Sequence, residues 1–285
     1  MRHREDGMTS TSLKELAQQF QKVGIENSWR ELRHLMAFIT GESYEAYFFG
    51  TASDLNTAQH NQLRELANRR LTGEPLSKIV EKREFWGLNF KVTKDTLDPR
   101  ADSETLVQAV TNTFSDQTQS LKIVDFGTGT GCLLISLLKE YPNALGVAID
   151  KSEAALNIAK ENARYLGVDK RMTFCLSNWA ESLDGLFDVI ISNPPYIGIH
   201  ESLEANVKNY DPVSALFAGE DGLDAYRALL GQIGKLCHPN TKIFFEIGQG
   251  QKAAVQEIAS QHKFVLVDVY KDLAGIERVL QLRIV

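Results

Sequence analysis

The fold is decided by residues 121–131, which are Leu121-Lys122-Ile123-Val124-Asp125-Phe126-Gly127-Thr128-Gly129-Thr130-Gly131. The first part of this stretch is a short apolar run, which predicts a buried strand. Three glycines at alternate positions follow, and they let the backbone turn sharply and approach a ligand without Cβ clashes. Residues 132–141 then predict a helix. A strand, a glycine-rich turn and a helix in this order are typical of nucleotide sites in α/β proteins.

The same alternation of strand and helix continues to the end of the chain. The predicted strands are 121–125, 144–149, 172–176, 187–192, 242–247, 264–270 and 278–284, and the predicted helices between them are 132–141, 153–165, 221–236 and 251–261. This order predicts an α/β fold with a doubly wound, seven-stranded, mostly parallel sheet. The link before the last strand is too short for a helical crossover, so we expect that strand to be antiparallel.

The first part of the chain predicts a small helical domain instead. Residues 12–75 place apolar side chains on helical stripes; these are Leu13, Leu16, Ala17, Phe20 and Val23, then Leu32, Leu35, Met36 and Ile39, then Leu63, Leu66, Ala67 and Leu71. Ser28 and Glu31 form a capping-box pattern, and the third helix is expected to begin near Thr57. Residues 79–93 predict a β-hairpin that turns around residues 87–89, and residues 103–113 predict a further helix.

Composition limits the classes of function. The chain has 285 residues and a net charge of −6, which argues against a broad nucleic-acid-binding face. Its three cysteines are widely spaced, so neither a disulfide framework nor a zinc site is expected, and no other metal spacing occurs. No apolar run approaches the ~20 residues of a membrane span, and residues 1–7 lack the apolar core of a secretory signal. We therefore expect a cytoplasmic monomer that does not associate with membranes.

Two acids and the glycines suggest which cofactor binds. Asp125 heads the glycine loop, and Asp150 ends the second strand, where a carboxylate can accept hydrogen bonds from both ribose hydroxyls. Hydride-transferring enzymes prefer a third glycine where this chain has Cys132, and no Walker lysine supports phosphoryl transfer. S-adenosylmethionine carries cationic groups that favour an acidic entrance such as Asp125. A methyl donor is favoured, with a hydride carrier as the alternative.

A second motif, Asn193-Pro194-Pro195-Tyr196, directly follows the predicted strand 187–192. The two prolines cannot continue a sheet, and because they lack N–H groups the local backbone offers only carbonyl acceptors. The Asn193 side chain adds an amide oxygen and Tyr196 adds a flat aromatic face. This combination suits a planar NH2 group. The structural alternative is an ordinary turn after a strand.

Together these residues resemble the class I methyltransferase fold and, more specifically, the HemK-type peptide-chain-release-factor glutamine methyltransferases. The resemblance covers nearly the whole chain. The segments that carry it are the helical domain, Arg83-Glu84-Phe85-Trp86-Gly87-Leu88-Asn89-Phe90, Pro99-Arg100 with Glu104-Thr105-Leu106-Val107, the glycine loop, Asn193-Pro194-Pro195-Tyr196-Ile197, Gly219-Glu220-Asp221-Gly222-Leu223 and Glu246-Ile247-Gly248. The tetrapeptide alone does not separate this family from DNA adenine methyltransferases.

The resemblance implies methyl transfer from S-adenosylmethionine to the glutamine side-chain nitrogen in the Gly-Gly-Gln loop of class I release factors. The implied cofactor contacts are Asp125, Gly127, Thr128, Gly129, Thr130, Gly131, Asp150, Trp179 and Asn193, and the implied substrate contacts are Asn193, Pro194, Pro195, Tyr196 and Arg100. Catalysis is assigned to Asn193, Pro194 and Tyr196. The predicted domains are a disordered extension (1–11), a helical substrate-docking domain (12–78), a linker β-hairpin (79–95) and a methyltransferase domain (96–285).

Several alternatives stay open at this point. The rival activity is DNA or RNA adenine N6-methylation, which also presents a planar NH2 group but needs a basic channel or a target-recognition domain. A non-catalytic module that binds S-adenosylmethionine is the other rival. Trp179 either flanks the adenine or packs in the core, and Arg100 and Glu104 either line the substrate groove or form an interdomain salt bridge. The chain departs from the family at Ala101, where proline is usual, and at Asn178, where aspartate is usual.

Overall fold

The computed structural model describes residues 10–202 and 209–285, which form two compact units, one extending to Glu81 and the other spanning Lys82–Val285. The described helices are α1 (Ser10–Lys22), α2 (Ser28–Thr40), α3 (Tyr44–Phe49), α4 (Thr57–Leu71), α5 (Leu76–Ile79), α6 (Glu104–Thr113), α7 (Cys132–Glu140), α8 (Glu153–Tyr165), α9 (Asp224–Ile233) and α10 (Lys252–Gln261). The described strands are β1 (Lys82–Phe85), β2 (Leu88–Lys91), β3 (Lys122–Phe126), β4 (Leu145–Asp150), β5 (Met172–Leu176), β6 (Phe187–Ser192), β7 (Cys237–Glu246), β8 (Phe264–Lys271) and β9 (Glu277–Ile284). Of the predicted extension at 1–11, only residues 10 and 11 lie within the described part, and they belong to α1.

The first unit is a helical bundle whose core comes from the predicted apolar stripes. The buried members are Leu16, Ala17, Phe20, Leu32, Leu35, Met36, Leu63, Leu66 and Ala67. The prediction is wrong for Val23, which is 55% exposed because α1 ends one residue earlier, at Lys22. It also missed the short helices α3 and α5, which are too brief to show a helical period in the sequence.

The predicted capping box at Ser28 is also wrong. Asn27 occupies the N-cap of α2 without a side-chain cap, and Glu31 accepts hydrogen bonds from Arg70 on α4 instead. A capping box does occur at the start of α4, where Asn56 and Gln59 satisfy each other's backbone N–H groups. The sequence pattern therefore pointed to the wrong helix because a long-range ion pair competed for Glu31.

The hairpin of β1 and β2 turns one residue earlier than predicted, at Trp86 and Gly87. Phe85 pairs with Leu88, and Trp86 and Gly87 both have positive φ, of 52° and 66°. A two-residue turn with two positive φ angles matches the twist of the strands it joins. Trp86 tolerates this conformation because its N–H donates to Glu104 Oε1 at 2.8 Å and its ring N–H donates to Glu140 Oε1 at 2.8 Å.

The second unit is built around a seven-stranded sheet of order β5-β4-β3-β6-β7-β9-β8. Strands β3 to β7 are paired in parallel, and β9 is antiparallel to both of its neighbours. The predicted doubly wound sheet with an antiparallel last strand is therefore confirmed. The strand order reverses between β3 and β6, and the carboxyl ends of these neighbouring strands open the crevice in which such sheets bind ligands.

Helices cover both faces of this sheet. One apolar cluster contains side chains of α6, α7 and α8, and the other contains side chains of α9 and α10. Phe85 and Phe90 are fully buried in the first cluster, so the hairpin packs with the second unit. Strand β7 begins at Cys237, five residues before its predicted start, because an irregular register lets Cys237 pair with Phe187 before the regular pairing resumes at Lys242.

Candidate active site

The glycine loop leaves β3 and is fixed against the neighbouring strand. The backbone N–H groups of Gly127 and Thr128 both donate to the Ile149 carbonyl at 2.9 Å. Gly127, Gly129 and Gly131 have φ angles of 72°, 55° and 80°, which side-chain-bearing residues rarely adopt. A Cβ on Gly131 would also approach Ile135 Cδ1 to 3.0 Å, so this glycine allows α7 to start close to its neighbours.

The two predicted acids have different surroundings. Asp150 lies at the end of β4 and accepts hydrogen bonds from the N–H groups of Gly129 and Ser152, at 3.0 and 2.9 Å. Asp125 is buried, and its Oδ2 accepts from the Thr128 hydroxyl at 2.7 Å, while its Oδ1 has no hydrogen-bond partner among the described residues. Burial raises the pKa of Asp125 to about 7, against the opposing effect of the Thr128 hydrogen bond.

A first cleft opens beside the loop. The predicted residues that line it are Gly127, Gly129, Asp150, Trp179, Asn193 and Pro195. The Trp179 ring lies over the loop, since its Cζ3 would be 3.9 Å from a Cβ on Gly127. The structure therefore brings two of the three loop glycines, a carboxylate and an aromatic ring to one cavity.

The other predicted cofactor residues do not line this cleft. They are Asp125, Thr128, Thr130 and Gly131. Asp125 and Thr128 bond to each other, and the Thr130 carbonyl accepts from the buried Asn162 amide at 2.9 Å, so these residues hold the shape of the loop. Lining residues that the sequence analysis missed are Asp95, Thr96, Leu97, Ile149, Lys151, Ser152, Ala155, Ser177, Pro212, Ser214 and Ala215. Ser152 carries a signal, because it directly follows Asp150-Lys151 and caps α8.

The Asn193-Pro194-Pro195-Tyr196 motif begins where β6 ends. The Ser192 hydroxyl donates to the Phe126 carbonyl at 2.7 Å, which ties the end of β6 to the end of β3. A second cleft is lined by Leu97, Arg100, Asp102, Asn193, Pro194, Tyr196, Ile197, Ser202, Ala215, Leu216 and Glu246. Asn193 thus lines both clefts, with Pro195 on the first and Pro194 and Tyr196 on the second.

Two glycine motifs hold Tyr196 in place. Gln251 Nε2 donates to the Tyr196 carbonyl at 2.8 Å, and Gln251 Oε1 accepts from the Gly248 N–H at 2.9 Å. A Cβ on Gly222 would lie 2.3 Å from that same carbonyl oxygen, and one on Gly248 would lie 3.0 Å from the Tyr196 ring. Burial raises the pKa of Tyr196 to about 12, so the phenol keeps its proton at neutral pH.

Arg100 and Glu104, whose roles the sequence left open, make different contacts in the structure. Arg100 lines the second cleft, and its Nη2 lies 3.1 Å from Asp211 Oδ2, a salt bridge within the second unit and not between domains. Glu104 accepts from the Trp86 N–H and fixes the hairpin turn. His200, in the loop after the tetrapeptide, is exposed and pairs with Glu220.

No group of three or more His, Cys, Asp or Glu side chains that could hold a metal ion occurs among the described residues. In the same part of the chain, no helix has the length and apolar character needed to cross a membrane. Cys132, Cys175 and Cys237 are free thiols.

Comparison with known proteins identifies the class and then the family. Residues 93–211 match the family model described as "Methyltransferase small domain", and a solved methyltransferase from Pyrococcus furiosus has the same fold, with a TM-score of 0.51 at 16% identity over 79% of this chain and 98% of that one. The chain therefore has the α/β fold that is found in methyltransferases. Residues 11–80 match the model described as "PrmC N-terminal domain".

Full-length relatives narrow the class further. A release factor glutamine methyltransferase from Agrobacterium fabrum is 36% identical over 98% of this chain and 98% of its own length. Another, from Rhodospirillum rubrum, is 38% identical over 92% of this chain and 80% of its own length. The chain belongs to the release factor glutamine methyltransferase family.

Proposed function

We propose that this protein transfers a methyl group from S-adenosylmethionine to the side-chain nitrogen of a glutamine, the one in the Gly-Gly-Gln motif of a class I peptide chain release factor. The observation that carries the proposal is the position of Asn193 on the wall shared by the two clefts. An amide held in the second cleft by this side chain would face the first cleft. The family membership supports the same substrate.

The first cleft fits the proposed cofactor. Gly127 and Gly129 leave room for close backbone approach, the Asp150 carboxylate can accept from ribose hydroxyls, and the Trp179 ring can flank an adenine. When bound there, S-adenosylmethionine would supply an activated methyl group. Asp125 would act through the loop it supports, together with Thr128.

The chain's own contribution is orientation and electrostatics. An amide nitrogen is a poor nucleophile because its lone pair is delocalised into the carbonyl group. The Asn193 side-chain oxygen and the Pro194 carbonyl can accept the two amide hydrogens, which fixes the direction of the nitrogen and stabilises the positive charge that develops on it. Tyr196, which stays neutral, offers its aromatic face, and Arg100 borders the same cleft. The docking of a release factor by residues 12–78 stays a prediction.

The test is a labelling experiment with the purified protein, radiolabelled S-adenosylmethionine, a class I release factor and a DNA oligonucleotide in one reaction. We expect label only in the release factor, and none when the motif glutamine is replaced by alanine. Asn193→Ala should lower turnover by ~100-fold or more and leave cofactor affinity within a few fold, because it removes one oriented polar group. Asn240→Ala, at an exposed position, is the matched control. Preferential labelling of the oligonucleotide would overturn the proposal.

A further inference from the structure

The catalytic amide of Asn193 has a buried partner that the function does not by itself require. Its Nδ2 donates to the Ser103 hydroxyl oxygen at 3.0 Å. Hydrogen bonding with Ser103 is also the first of the influences that lower the pKa of the Glu246 carboxyl. Ser103 and Glu246 are 3% and 1% exposed, so water does not compete for these contacts.

We propose that Ser103 and Glu246 are positioning residues that lock the Asn193 carboxamide in one of its two flip states, with Oδ1 turned toward the substrate. This inference rests on the proposed function, because it explains how Asn193 comes to present an acceptor to an amide NH2 group. Neither residue needs to touch the substrate nitrogen for this role.

The lock follows from counting protons. A serine hydroxyl has one proton and can also accept hydrogen bonds. Where Glu246 is ionised, Ser103 can donate that proton to the carboxylate, and the Ser103 oxygen then accepts from the Asn193 NH2 group. In the opposite flip state, Asn193 Oδ1 would face the Ser103 oxygen, two acceptors together, at a cost of a buried unsatisfied group.

The flip state matters because the substrate amide is itself a donor. With Nδ2 bonded to Ser103, the Asn193 oxygen is left for the hydrogens of a glutamine NH2 group. With the amide reversed, two NH2 groups would face each other and the nitrogen would not be held. The Asn193 side chain alone could turn either its oxygen or its NH2 group toward the substrate. In this proposal the Ser103–Glu246 pair determines that the oxygen faces the substrate.

The surroundings of Glu246 have opposing effects on its pKa. Burial raises the pKa of Glu246 to about 7, while the Ser103 hydrogen bond and the nearby Arg278 and Arg100 guanidinium groups lower it and Asp102 raises it further. Among the described residues Glu246 Oε2 has no hydrogen-bond partner, and hydrogen bonding with Ser103 is the strongest influence that holds the pKa of this carboxyl down.

The test compares variants of Ser103 that differ in the hydroxyl. Ser103→Thr keeps the hydroxyl, Ser103→Val has the shape of the threonine variant but no hydroxyl, and Ser103→Ala is a smaller variant without a hydroxyl. We expect the two hydroxyl-free variants to lose ~10-fold or more in kcat, since a displaced reacting group costs up to ~100-fold. The KM for the release factor and the affinity for S-adenosylmethionine should stay within a few fold, and Ser103→Thr should keep wild-type kcat.

A double-mutant cycle separates positioning from a general structural effect. In an Asn193→Ala background, Ser103→Ala should cause no further loss, because there is no amide left to orient. An equal loss in both backgrounds, or a kcat for Ser103→Val and Ser103→Ala within threefold of wild type, overturns the inference.

A readout without turnover keeps this inference distinguishable from the proposed function. In protein labelled with ¹⁵N-asparagine, the side-chain NH2 signal of Asn193, assigned by its absence in Asn193→Ala, should shift in Ser103→Val and stay near its wild-type position in Ser103→Thr. An unshifted signal in Ser103→Val overturns the lock even if methyl transfer is intact. A wild-type protein that labels no release factor but shows this shift refutes the proposed substrate and retains the lock.

Discussion

Gly222→Ala tests whether the geometry of Tyr196 depends on close packing between backbones. Gly222 has a φ of 74°, and a Cβ at this position would lie 2.3 Å from the Tyr196 carbonyl oxygen and 3.0 Å from Gln251 Nε2. Gln251 donates to that same oxygen at 2.8 Å. The added methyl group would therefore enter the space of an existing hydrogen bond.

The size of the effect follows from these distances. Ordinary contact begins at 3.4 Å, so the Tyr196 carbonyl must move by about 1 Å. A misplacement of about 1 Å near reacting groups can cost ~100-fold in rate. The left-handed backbone adds a strain of roughly 1–2 kcal/mol, which lowers stability but does not act on the site. We expect kcat/KM for methyl transfer to fall by ~100-fold.

The matched control is Gly167→Ala, at the end of α8. Gly167 has a φ of 73°, almost equal to that of Gly222, but a Cβ there meets nothing within 4 Å. Both variants share the backbone strain, Gly222→Ala should lose more thermal stability because of its clash, and only Gly222→Ala should lose activity in the release-factor labelling assay. If the two variants show the same kcat/KM, the packing argument is refuted and strain alone accounts for this glycine.

Two further changes test how the loop is supported. Asn162 is buried and bonds to the Lys91 N–H and to the carbonyls of Lys91 and Thr130 at 2.7, 3.0 and 2.9 Å. Asn162→Ala should therefore lower the free energy of urea unfolding by ~2–4 kcal/mol, because it leaves these backbone groups unpaired. Asn157→Ala, at an exposed position on the same helix, should hardly change it, and equal losses would contradict the assignment. Because burial raises the pKa of Asp125 to about 7, the folded wild type holds a proton that the unfolded chain releases near pH 4. The wild type therefore loses stability relative to Asp125→Asn as the pH rises from about 4 to about 7, by roughly 2–4 kcal/mol, and parallel stability curves for the two proteins would refute this reasoning.

The sheet could be predicted from the sequence because its signals are local. Each buried strand is a short apolar run and each helix has its own period, so the alternation alone specified a doubly wound sheet. Errors occurred where a distant residue competes with a local pattern. Glu31 bonds to Arg70 instead of completing the predicted capping box, and β7 begins at Cys237 because Cys237 pairs with Phe187. Neither partner is recognisable from the neighbouring sequence.

The same distinction applies to the site. Gly127, Asp150 and Asn193 could be placed together in advance, because each lies at the carboxyl end of a parallel strand and these ends meet at one edge of the sheet. The roles of Ser103 and Glu246 could not, since Ser103 is 90 residues from Asn193 in the chain. The sequence shows that an amide ends the strand but not which of its two atoms faces the cavity.

Several residues in or beside the family motifs support the site without lining either cleft. Gly222 and Gly248 lie in segments that the resemblance singled out, and both approach Tyr196 more closely than a side chain would allow. Ser103 lies between the Pro99-Arg100 segment and the helix that follows it, and it bonds to Asn193. The positions around the tetrapeptide therefore determine the direction of its polar groups, which the tetrapeptide cannot set alone. Because orientation is the main catalytic contribution available to a site without a protein nucleophile, substitutions at these supports should lower kcat more than cofactor affinity.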